Sequence, residues 1–107
     1  MPVRTLRPKQ PHPGATELLR LLVQELRHPR EARGRPLILI KQEGRGLIRP
    51  IQLYVVWRKW ESLSQLERSE IIMDAYEQVK GADEAQKVVS AMGLTPEEAP
   101  RMGIPAH

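Results

Sequence analysis

The chain has 107 residues, 40% apolar and 28% charged, with a formal net charge of +4, ten prolines and no cysteine. That length supports one domain with a single core, and the absence of cysteine excludes disulfides, thiolate nucleophiles and thiolate-held zinc or iron–sulfur centres supplied by this chain alone. The charge is divided: residues 1–60 carry 13 Lys/Arg against 4 Asp/Glu, a balance of +9, whereas residues 61–107 carry 4 against 9, a balance of −5. Such polarity suits a nucleic-acid surface on the basic side, or association between unlike faces of two copies.

Residues 1–15 contain four prolines, Arg4, Arg7 and Lys9 without apolar periodicity, and read as a flexible basic arm. Those cations precede no apolar region, so the start is not a secretory signal, and no apolar run approaches the roughly 20 residues that cross a bilayer. The cytoplasm is the expected setting, with no membrane association. His12, His28 and His107 are too scattered to suggest a metal site, and no metal or other cofactor is expected.

Thr16 is the expected cap of a helix running to Arg27, with Glu17 placed to complement the dipole and Pro29 to stop it. Leu18, Leu19, Leu22, Val23 and Leu26 recur at three- and four-residue spacing and form its apolar stripe. Residues 28–35, HPREARGR, make a basic connection. Residues 36–42, PLILIKQ, are too short for a helix and read as a strand. Glu43, Gly44, Arg45 and Gly46 then turn the chain into a second strand, forming a hairpin.

In that strand Leu53, Val55 and Trp57 alternate with Tyr54, Val56 and Arg58, so both faces begin apolar, one for helices and one for partial exposure or a dimer. Trp60 should fold back over the core edge. Tryptophans beside Arg58 and Lys59 suit base stacking or partner recruitment, although aromatics at a strand end more often belong to the core. Ser64-Gln65-Leu66-Glu67 is a capping box, opening a helix that buries Ile71, Ile72, Ala75, Tyr76 and Val79 and ends at Gly81. Arg68 falls on its apolar side, where its guanidinium must emerge at the edge or meet a carboxylate.

Residues 87–92, KVVSAM, fit a third strand, with a helix as the alternative reading; a third strand completes a sheet that two leave marginal. Thr95-Pro96-Glu97-Glu98 opens a short helix leading into a loose end. The expected architecture is a flexible arm (1–15), one α+β domain (16–99) and a flexible tail (100–107). The domain is a small three-stranded sheet packed on helices in the order α-β-β-α-β-α.

That order, with YVVWRKW, ESLSQLE, Arg68-Ser69-Glu70, KVVSAM and TPEE as counterparts of the family's segments, resembles the BolA-like family, itself related to the class II KH arrangement, over residues 16–99. The family's helix opens with an Arg-His-Arg type motif whose histidine is associated with iron–sulfur ligation alongside a glutaredoxin. Ser69 stands at that position, so the resemblance does not bring that role to this chain.

Catalysis is not expected. Ser64 and Ser69 lack a histidine partner, Glu67, Glu70, Asp74 and Glu77 have the spacing of a solvated helix face, and the glycines of EGRG have neither P-loop nor dinucleotide spacing. The expected function is a non-enzymatic protein-interaction or structural module, either self-associating or bound to another protein. The alternative is a nucleic-acid-binding protein using its basic arm and hairpin; neither reading specifies a small-molecule ligand. The candidate binding residues are Lys41, Arg45, Arg49, Arg58, Lys59, Trp60 and Arg68.

Overall fold

The computed structural model describes residues 14–28, 36–42, 44, 46 and 49–104. The rest of the N-terminal arm, the connection 29–35 with Pro29, the turn residues Glu43 and Arg45, and the last three residues lie outside the described residues. The described elements are α1 (Ala15–Arg27), β1 (Leu37–Gln42), β2 (Ile51–Val56), a 3-10 segment (Arg58–Ser62), α2 (Gln65–Lys80), α3 (Ala82–Ala85), β3 (Val88–Leu94) and a 3-10 turn (Ala99–Met102). The protein is α+β, with the α-β-β-α-β-α order read from the sequence. The ambiguous segment near residue 87 is a strand, preceded by a one-turn helix.

The sheet order is β1-β2-β3, with β1 and β2 antiparallel and β2 and β3 parallel. Gly44 and Gly46, at φ 94° and 113°, supply the positive φ that the sequence expected in the connection between β1 and β2. A parallel pair needs a crossover, and α2 provides it. Its start is the expected capping box: Ser64 Oγ accepts from the Glu67 amide at 3.2 Å, and Glu67 Oε1 accepts from the Ser64 amide at 2.8 Å. Gly81, at φ 94°, ends it.

Two expected helix ends differ. Helix α1 is not capped by Thr16: it begins at Ala15, with Gly14 as N-cap at φ 89° and the Leu18 amide donating to the Gly14 carbonyl at 3.0 Å. The glycine turns the chain into the helix before the threonine, which falls inside the first turn. After β3, Thr95 Oγ1 accepts from the Glu98 amide, but residues 96–98 form a turn rather than the expected helix opening, and the 3-10 segment that follows has Glu98 as its N-cap. Pro100 has no amide to donate to the carbonyl four residues back, so an α-helical ladder is interrupted there.

The core is built on both sheet faces. Ile51, Leu53, Val55 and Trp57 pack with Leu22 and Val23 of α1 and Ile71, Ile72, Ala75 and Tyr76 of α2. Glu25 is also buried in α1. On the opposite face Val56, Leu94 and Ala99 form a smaller cluster, joined by half-buried Leu37, Tyr54, Met92 and Ile104. The expected two-sided second strand is therefore present, and its second face is partly covered by this chain's own segment after β3.

Candidate functional site

The joint between β2 and α2 gathers the tryptophans and Arg68. The Trp57 and Trp60 rings meet edge to face, with centroids 5.1 Å apart at 85°, an arrangement worth about 0.5–1.5 kcal/mol beyond area burial. Trp60 is fully buried and its indole N–H donates to the Val55 carbonyl at 3.0 Å. Arg68 is buried beside it: Nε donates to the carbonyls of Trp60 at 3.1 Å and Leu63 at 3.0 Å, and Nη1 donates to the Gly93 carbonyl at 3.0 Å and Glu98 Oε1 at 2.8 Å. Arg68 thus meets a carboxylate rather than emerging at the edge. Neither it nor Trp60 presents a surface to a nucleic acid or partner, which corrects their place among the candidate binding residues.

Glu98 is fixed from a second side. It accepts from the Thr95 amide at 2.9 Å while its own amide donates to Thr95 Oγ1 at 3.2 Å, a reciprocal pair with the same S/T-x-x-E spacing as Ser64–Glu67. The Thr95 amide, with Arg68 adding to it against the opposing effect of desolvation, holds the Glu98 carboxyl below its ordinary range. The spacing of Thr95 and Glu98 was readable in the sequence; the pairing of Glu98 with Arg68 was not.

The remaining described candidates are exposed but separated. Lys41 and Arg49 lie at the hairpin end, where Gln42 Nε2 donates to the Arg49 carbonyl at 3.0 Å. Arg58 and Lys59 follow the other end of β2. A six-residue strand spans about 20 Å, so these are two groups rather than one patch. Arg45 lies outside the described residues. Arg58 pairs with Glu97 at 3.1 Å, and the charge of Lys59 reaches Glu17, which also pairs with Arg20.

The two edges of the sheet differ. The Trp57 amide donates to the Leu94 carbonyl; because successive groups alternate, the Ala91 and Gly93 carbonyls face outward from β3. Side chains of α2 satisfy both: Ser69 Oγ donates to Ala91 at 2.6 Å, and Gln65 Nε2 and Arg68 Nη1 to Gly93 at 2.7 and 3.0 Å. The same alternation turns Gln52, Tyr54 and Val56 of β2 toward Lys41, Leu39 and Leu37 of β1. The amides and carbonyls of Ile38 and Ile40 therefore face away from the sheet, and no described residue pairs with them. Ile40 is 51% exposed.

Among the described residues no three His, Cys, Asp or Glu side chains converge to hold a metal ion, and no helix is long and apolar enough to cross a membrane. Comparison with protein-family models, curated proteins and solved structures finds no match in any of the three.

Proposed function

We propose that the protein is a non-enzymatic interaction module that works in the cytoplasm and uses its sheet to self-associate. The observation that carries this reading is the contrast between the edges: α2 side chains cap the outward Ala91 and Gly93 carbonyls of β3, while β1 offers backbone groups that no described residue pairs with and a half-exposed isoleucine. An open edge is a template for another strand, and natural proteins that avoid pairing block it. Sedimentation at micromolar concentration tests the reading: a concentration-dependent dimer is expected, and a monomer throughout overturns it.

A second reading, nucleic-acid binding, is favoured by the exposure of Lys41, Arg49, Arg58 and Lys59. Phosphate contacts of that kind weaken steeply with salt. Retardation of mixed single- and double-stranded nucleic acid in a low-salt gel, lost on adding salt, supports it; unretarded nucleic acid counts against it.

The BolA-like kinship is proposed on the meeting of two of its matching segments, Arg68 of the helix opening and Glu98 of TPEE. It adds no iron–sulfur or other cofactor.

A further inference from the structure

The outward backbone groups of β1 alternate donor and acceptor, so their natural occupant is an extended strand. The strand itself, Leu-Ile-Leu-Ile-Lys-Gln, carries no carboxylate and only one charge, at position 41. Its occupant is decided by which pairing keeps that charge off a like charge while matching apolar side chains.

We propose that β1 pairs antiparallel with β1 of a second copy about a two-fold axis at Leu39, joining the two sheets into one of six strands; this rests on the self-association reading above. In this register Ile38 of each copy faces Ile40 of the other as a hydrogen-bonded pair, satisfying the outward groups of both. The isoleucines lie on the helix-facing side, because Ile38 and Ile40 oppose Val55 and Leu53. The two Leu39 residues oppose each other on the other face. Each Lys41 lies across from Leu37, with its apolar stem over the leucine and the two ammonium-bearing residues about 13 Å apart along the strands. An axis at Ile40 brings the lysines to diagonal positions at about 7–8 Å, and an axis at Lys41 sets them face to face. Charge therefore selects the Leu39 register.

The absence of cysteine provides a direct test. Residues opposed in a non-hydrogen-bonded antiparallel pair have Cα atoms about 4.5 Å apart, within the range a disulfide spans. Full-length Leu39→Cys is expected to cross-link under mild oxidation about tenfold faster than Val89→Cys, whose position is 65% exposed but distant from the axis. Ile40→Lys, which adds a like charge at the edge, is expected to weaken the dimer at least about tenfold by sedimentation while the circular dichroism spectrum stays unchanged. A wild-type dimer whose Leu39→Cys and Val89→Cys variants cross-link equally, or that survives Ile40→Lys, overturns the β1 interface but leaves self-association standing. A wild-type monomer at every concentration overturns both.

Discussion

Arg68 is a cation on the apolar side of a helix, held there because its guanidinium hydrogen-bonds three carbonyls and one carboxylate from three separate segments. Arg68→Ala removes all four bonds at once, although the Trp60 and Gly93 carbonyls and Glu98 keep donors in Leu63, Gln65 and Thr95, and is expected to lower stability by about 1.5–3 kcal/mol in urea unfolding. Lysine restores the charge but not the planar fork, so Arg68→Lys is expected to recover only part of that loss. Gly93 is required for a steric reason: an added Cβ comes within 2.8 Å of Arg68 Cβ and 2.9 Å of Trp60 Nε1. Gly93→Ala should therefore cost about 1–3 kcal/mol. Glu98 links the clamp to pH. Its folded pKa is depressed, so its contribution is complete above about pH 4.3, where an unfolded glutamate titrates, and disappears as pH falls through the lower folded value. Urea midpoints followed through that range should fall less steeply for Glu98→Gln than for wild type.

At the scale of the element, the first turn of α2 has two tasks. Ser64 and Glu67 satisfy the helix's own amides, and Ser64→Ala is expected to cost about 1 kcal/mol. Gln65 and Ser69 cap the outward Gly93 and Ala91 carbonyls of β3. Replacing both with alanine should leave the helix formed and open the β3 edge in addition to the one proposed at β1, visible as species larger than the proposed dimer in light scattering; an unchanged size distribution would show that the edge is blocked by something other than these side chains. The elements themselves were legible because capping boxes, glycine stops and alternating apolar residues act over a few positions. The start of α1 was misplaced because Thr16 has the chemistry of a cap, while the backbone of Gly14 had already begun the turn. The closure of the β3 edge was not legible, since it depends on which carbonyls face outward, and that parity is set by pairing with β2.

Across the whole molecule, the exposed cations were found by composition, but their division between the two ends of β2 required the hairpin to be built. Trp60 and Arg68 were chosen for their residue types and sequence neighbours, whereas their burial is decided by Gly93 and Glu98, 25 and 30 residues beyond Arg68. The same long-range closure organises the second sheet face. Helices cover one face, and the other receives Ala99 and Ile104 on Val56 and Leu94, drawn in by the Arg68–Glu98 pair. If this segment is part of the core rather than an appendage, its buried and exposed positions must respond differently to charge. Ala99 has no exposed surface, whereas Met102 is 52% exposed. Ala99→Asp is therefore expected to lose about 3 kcal/mol or more and to bind a hydrophobic dye as Val56, Leu94 and Tyr54 are uncovered. Met102→Asp should stay within about 0.5 kcal/mol of wild type. Equal, small effects in urea unfolding would mean that the sheet's second face is stable without this cover, and that Arg68 and Glu98 anchor a segment the fold does not need.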